Sequence, residues 1–167
     1  TPTYTKPMLS TPGETPRELN RIDIKNRNPL SGEAEQHIIN SLDRLWGNID
    51  GVVVLDQVSL PETGVITSRV RDHLTHLCQL RPELPVIADS RERIGNFRGM
   101  SLKPNQRECL QASGLADIDE ATKSLARSAG KTIFCTCSEK GILVVSAKGD
   151  SHLIPGFQVD GPIDPVG

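Results

Sequence analysis

Val52-Val53-Val54-Leu55-Asp56 is a wholly apolar, largely β-branched run closed by an acid. It is far shorter than the roughly 20 residues of a membrane span. It has the composition of a strand covered on both faces of a parallel sheet. Val86-Ile87-Ala88-Asp89 repeats the pattern. Between the two runs, Thr67 or Ser68 caps a helix whose Val70, Leu74, Leu77 and Cys78 form one apolar stripe, and Pro82 and Pro85 end it.

The same alternation continues outward. On the N-terminal side, Ser31 is an N-cap followed by Glu33 and Glu35, where the helix dipole favours acids. Ala34, Ile38, Ile39, Leu42 and Leu45 then recur at helical spacing, so 31–47 is an amphipathic helix stopped by Gly47-Asn48. On the C-terminal side come a short step at Ser101-Leu102 and helices over 105–113 and 118–129, the second with Ala121, Leu125 and Ala126 inward. A strand over Thr132–Thr136 follows. Gly141–Ala147 and Ser151–Ile154 then form a hairpin turning at Lys148-Gly149-Asp150. This order predicts an α/β three-layer sandwich with a mostly parallel, doubly wound sheet. Ligands of such sheets bind beyond the C-terminal ends of the strands. Asp56, Asp89, Asn105 and Ser138 all fall at or just after such ends. Residues 1–30 are rich in Pro, Thr and Asn, with short extended stretches only.

Composition narrows the function classes. The 167 residues carry a net charge of −2 with a pI near 6.1, and Lys and Arg are scattered among acids, which argues against a nucleic-acid partner. The longest apolar runs, Val52–Leu55 and Ile142–Val145, are too short to span a membrane. Residues 1–16 contain no apolar signal-peptide core. Cys78, Cys109, Cys135 and Cys137 are placed as buried, reduced thiols of a cytoplasmic protein. A zinc site is the sharper alternative for Cys135-x-Cys137, but no second ligand pair stands at finger spacing. His37, His73, His76 and His152 do not cluster with acids or with a nucleophile in the sequence, and no chemistry is assigned to them.

Three segments carry the chemistry, each with a plain structural explanation of its own. Asn105 with Glu108 three residues later is a capping box. Glu139-Lys140-Gly141 is an ordinary turn, and Asp164-Pro165 an ordinary turn opener. Taken in order, Lys103-Pro104-Asn105-Gln106-Arg107-Glu108, Thr136-Cys137-Ser138-Glu139-Lys140-Gly141 and Ile163-Asp164-Pro165-Val166-Gly167 resemble the nucleotide half of the ribokinase-like (PfkB) carbohydrate kinases. There a Pro-Asn-x-x-Glu segment lies near the phosphates and their magnesium, and a strand ending in Thr-x-Gly-x-x-Gly wraps the nucleotide phosphates. An Asp-Thr-Val-Gly-Ala-Gly-Asp segment then supplies an anion hole and the catalytic base. Within the family, Thr1-Pro2-Thr3, Leu19-Asn20-Arg21-Ile22-Asp23, Asp56 and Asp89-Ser90-Arg91 look nearest to the heptose-phosphate kinase group.

The resemblance implies a lid or substrate-side segment over 1–30 and an incomplete ribokinase-like core over 31–167. It implies ATP-dependent phosphoryl transfer to a hydroxyl of a sugar or sugar phosphate, with magnesium and a potassium-type monovalent cation. Lys103, Asn105, Thr136, Ser138 and Gly141 would serve the nucleotide; Asn105 and Glu108 the magnesium through water; Asp164 and Val166 the monovalent cation. Gly167 would open the anion hole, and Asp56 and Arg21 would face the substrate. Arg21 with Asp23 also has a plain explanation, a solvated cross-strand pair. A homodimer through the lid is implied as well. The same resemblance implies an internal piece whose catalytic Asp lies past Gly167, inactive on its own. Ser138 stands where the family usually has the middle Gly of its phosphate loop, and serine does not adopt φ > 0 cheaply. The alternatives are a nucleotide-binding regulatory module of the same fold, or a nucleoside kinase.

Overall fold

The structure, a computed structural model, describes residues 3–157. Asp164, Val166 and Gly167 lie outside the described residues. Strands β1 (Thr3–Thr5), β2 (Met8–Leu9), β3 (Arg17–Glu18) and β4 (Ile22–Ile24) form two small antiparallel pairs, β1 with β4 and β2 with β3. Then follow α1 (Gly32–Trp46), β5 (Val52–Asp56), α2 (Ser68–Leu80), β6 (Val86–Ser90), β7 (Ser101–Leu102), α3 (Gln106–Ser113), α4 (Ile118–Ala129), β8 (Ile133–Thr136), β9 (Ile142–Val145) and β10 (Ser151–Ile154). The six later strands make one sheet in the order β10-β9-β8-β7-β6-β5. The pairings from β5 to β8 are parallel, and β8–β9–β10 is antiparallel.

Each helix begins where a side chain satisfies the free amides of a first turn. Ser31 accepts from the Ala34 N–H, Thr67 from Val70, Asn105 from Glu108 and Asp117 from Glu120. Helices α3 and α4 end on Gly114 and Gly130, both at φ 70°, where a Cβ would be strained.

Register explains where the core sits. Val54 pairs with Ala88, Ala88 with Leu102, Leu102 with Ile133 and Ile133 with Val145. All five are buried, so one row of side chains crosses the sheet under the helices. Val70, Leu74 and Leu77 of α2, Cys109 of α3, and Ala121, Leu125 and Ala126 of α4 join that core. Truncating a residue such as Leu102 to Ala there costs about 2–5 kcal/mol. The opposite face is different: Val53 is 69% and Leu55 58% exposed. The expectation of a strand covered on both faces is therefore corrected for β5. The described helices cover only the face that carries Val54.

All four cysteines are free and buried. A hydrogen bond with the Cys109 thiol and burial push the Cys135 thiol up, and burial alone raises Cys78. Thiols held protonated in this way are poor nucleophiles.

Candidate functional site: the C-terminal edge of the sheet

The C-terminal ends of β5–β8 open onto three adjoining cavities. The middle one, about 550 Å³, is lined by Gln57, Asp89, Arg91, Lys103, Asn105, Arg107, Glu108 and Thr136. A second, beside α3, shares Asn105, Arg107 and Thr136 with it and adds Gln106, Ser138, Gly141 and Ile142. The third, about 360 Å³, shares Gln57 and Arg91 with the middle cavity and reaches the N-terminal strands at Tyr4, Arg21, Asp23, Lys25 and Arg27. Shared walls join the three into one trench, polar at its middle cavity.

Backbone pairing assembles the end formed by Asn105 and Thr136. An isolated parallel bridge joins Asn105 to Thr136, and the Thr136 N–H donates to the Pro104 carbonyl at 2.9 Å. Asn105 and Glu108 cap each other: the Glu108 N–H donates to Asn105 Oδ1 at 2.9 Å, and the Asn105 N–H to Glu108 Oε2 at 2.8 Å. The capping box predicted at this segment is thus present, with Glu108 8% exposed. Its Oε1 accepts no hydrogen bond among the described residues. One anionic oxygen beside an exposed asparagine suits magnesium, which keeps several waters and needs few carboxylates. Lys103 forms an ion pair with Asp89 at 2.9 Å.

The loop after β8 is tightly tied. The Gly141 N–H donates to the Ser138 carbonyl at 3.0 Å, and the Cys137 N–H to the Gly141 carbonyl at 2.8 Å. Ser138 sits at φ 52°, a left-handed conformation that favours glycine. Gly141, at φ 99°, has a reason of its own: a Cβ there would lie 2.0 Å from the Ile154 carbonyl oxygen. Its missing side chain makes room for the backbone of the β9–β10 hairpin as well as opening onto the cavity.

Two expectations are corrected here. Asp56, expected to face the substrate, is 1% exposed, and its oxygens accept from Arg93 Nη2 at 2.7 Å, Arg93 Nε at 3.0 Å and Ser90 Oγ at 2.7 Å. Arg93 also donates to the carbonyls of Ser59 and Val58, so this cluster holds the loop that follows β5. Arg21 and Asp23 do pair, with Nε 2.7 Å from Oδ1, but along one strand rather than across two. The cross-strand neighbour of Asp23 is Tyr4, and the Arg21 guanidinium lies 5.4 Å from its ring centroid.

Lys103, Asn105, Glu108 and Thr136 therefore meet at the middle cavity; Ser138 and Gly141 join Asn105 and Thr136 at the second; Arg21 lies at the third. Sequence reasoning passed over Gln57 and gave Arg91, quoted only within Asp89-Ser90-Arg91, no site role; the two form the wall between two cavities and are joined by an Arg91 Nε to Gln57 Oε1 hydrogen bond of 2.8 Å. Their places directly after Asp56 and Ser90, at strand ends, were the available signal. His73, read as unclustered, meets Asp43 of α1 at 2.7 Å, away from these cavities.

No protein-family model matches the chain. Its fold is that of the ribokinases. The ribokinase of Giardia lamblia superposes with a TM-score of 0.62 at 15% identity, covering 97% of this chain and 51% of that one. The ribokinase of Thermotoga maritima gives 0.54 at 19% identity, covering 95% and 50%. By sequence, the chain is a relative of the bifunctional HldE proteins. It is 31% identical over 163 residues to that of Trichlorobacter lovleyi and 32% identical over 167 residues to that of Citrifermentans bemidjiense, in each case over 90% of this chain and 32% of the relative. The chain thus spans about a third of the length of the curated relatives it matches. The resemblance to ribokinase-like kinases with heptose-phosphate kinase kin holds.

Proposed function

We propose that this chain forms the nucleotide-phosphate and acceptor sides of an ATP-dependent kinase that phosphorylates a hydroxyl of a sugar or sugar phosphate. The observation that carries this reading is the trench along β5–β8, with Asn105 and Thr136 bridged towards one end and Arg21, Lys25, Arg27 and Arg91 at the other. Phosphoryl transfer depends on positioning and on electrostatic stabilisation, for which such a trench is suited. Thr136, Ser138 and Gly141 line the nucleotide phosphates, and Lys103 and the Asn105 amide donate to them. Magnesium, when bound, neutralises charge on the phosphate oxygens. Glu108 and Asn105 hold it through water. By the family resemblance, Asp164 and Val166 would serve a monovalent cation of the potassium type and Gly167 an anion hole; all three lie outside the described residues.

At the other end, Arg21, Lys25, Arg27 and Arg91 surround the third cavity with Asp23 as the acid, a balance that suits an anionic acceptor such as a sugar phosphate. Residues 1–30 act as the lid. Tyr4, Ile22 and Ile24, each more than half exposed on the β1–β4 pair, support a homodimer through it. A cytoplasmic setting agrees with buried, free thiols, and the net charge of −2 favours no nucleic-acid partner. No described helix is long and apolar enough to cross a membrane.

A second reading, a nucleotide-binding regulatory module, is favoured by Ser138 at φ 52°, where the family's phosphate loop usually has Gly. A coupled ADP-release assay of the full-length protein with magnesium, ATP and a panel of sugars, sugar phosphates and nucleosides decides. Release dependent on a sugar or sugar phosphate is expected, and release with nucleosides alone makes it a nucleoside kinase. Calorimetric ATP binding with no acceptor-dependent ADP supports the regulatory module, and absence of ATP binding overturns both.

A further inference from the structure

We propose that Arg107 is a phosphate-binding residue of this trench, its guanidinium donating to the terminal phosphate oxygens of the nucleotide; this rests on the kinase reading above. Arg107 lines both the middle cavity and the one beside α3, on either side of Asn105. It is exposed, and among the described residues it makes no hydrogen bond or ion pair. The other cations and acids of these walls are engaged: Lys103 with Asp89, Arg91 with Gln57, and Glu108 with the Asn105 amide.

Its place in the helix adds a physical reason. Arg107 is the second residue of α3, in the first turn, where a cation opposes the helix dipole. No acid pairs with it among the described residues: Asp89 of the same cavity is held by Lys103, and Glu108 gives one oxygen to the cap. A side chain unfavourable to its own helix, unpartnered and shared by two adjoining cavities, one of them strongly polar, is placed to serve a ligand. The planar guanidinium fork matches phosphate oxygens in two parallel hydrogen bonds, which lysine cannot reproduce. Its reach over both cavities puts it at the outer phosphates rather than the nucleoside.

The test compares wild type, Arg107→Ala and Arg107→Lys in the full-length protein, by calorimetry with magnesium and ATP, ADP or AMP and by thermal melting without ligand. Arg107→Ala should weaken ATP binding roughly tenfold to hundredfold, ADP less and AMP hardly at all. Its ligand-free melting temperature should be equal to wild type or higher, because a cation leaves the first turn. Arg107→Lys should retain part of the ATP affinity. ATP affinity within about twofold of wild type in Arg107→Ala overturns the proposal. So does a lower ligand-free melting temperature with equal losses for all three nucleotides, since the arginine then serves the fold. Wild type that binds no ATP overturns the kinase reading itself, and this inference with it.

Discussion

Arg93 grips both carboxylate oxygens of Asp56, with Nη2 2.7 Å from Oδ1 and Nε 3.0 Å from Oδ2, where the Asp56 side chain is fully buried and that of Arg93 14% exposed. Ser90 donates to the same carboxylate and accepts the Arg93 N–H, closing the cluster. Removing one member of a buried pair leaves an uncompensated charge, which costs about 3–5 kcal/mol. Arg93→Met should therefore lower stability to denaturant by about that amount. The double variant Asp56→Leu/Arg93→Met should be less destabilised than Arg93→Met alone, because no charge is stranded. Additive losses in the double variant would show that the two residues do not act as a pair.

The Ser138 backbone offers a gain instead of a loss. The left-handed conformation costs an L-residue roughly 1–2 kcal/mol, and glycine returns part of this through its freer unfolded chain, roughly 0.5–1 kcal/mol. Ser138→Gly should thus stabilise the protein by up to about 1 kcal/mol in denaturant unfolding. ATP binding measured by calorimetry should tighten in parallel. A glycine variant that melts lower than wild type contradicts the strain assigned to this loop.

Local features were legible because the forces that make them are local. Ser31, Thr67 or Ser68, and Asn105 stand out as caps from the short side chain and the pattern after it, and Ser31, Thr67 and Asn105 each accept a first-turn N–H. The β9–β10 hairpin was legible from Lys148-Gly149-Asp150 for the same reason. Relationships across the fold were not. Val52–Leu55 has one composition whether its second face is covered or bare, so the exposure of Val53 and Leu55 left no trace in sequence. Asp56 looked available at a strand end because Arg93, which sequesters it, lies far along the chain. His73 and Asp43 meet only because α1 and α2 pack together. The meeting of Asn105 with Thr136 was approachable through two of the quoted segments, but the shared walls at Gln57, Arg91 and Arg107 required the three cavities to be seen together.

The junction of α1 and α2 carries a pH dependence. Thr67 Oγ1 donates to Glu35 Oε1 at 2.5 Å and Arg69 Nη1 to Oε2 at 3.2 Å. The Thr67 hydrogen bond, with the Arg69 guanidinium behind it, holds the Glu35 carboxyl below the usual carboxylate range. A depressed folded value means the contribution is present above the ordinary range and is lost as pH falls through the folded value. The melting-temperature advantage of wild type over Glu35→Gln should therefore shrink between about pH 5 and about pH 3. A constant difference across that range would rule out ionised Glu35 as its source.

Glu108 caps α3, and on the kinase reading proposed above it would also hold magnesium; one substitution separates the two. Its Oε2 accepts the Asn105 N–H, which the amide oxygen of glutamine also does in a capping box. Its other oxygen accepts no hydrogen bond among the described residues, and Glu108 lines the middle cavity, where only a carboxylate would bring the negative charge that a divalent ion requires. Glu108→Gln should accordingly fold with stability within about 0.5 kcal/mol of wild type. Its magnesium-dependent gain in ATP affinity should fall by roughly 10- to 100-fold, the scale on which residues around a metal site act. Glu108→Ala should lose both, since the cap goes with the charge. The decisive comparison is ATP titration with and without magnesium beside a denaturant melt. If Glu108→Gln keeps the full magnesium effect, the carboxylate serves the helix alone, and the metal must be held by other residues of the trench.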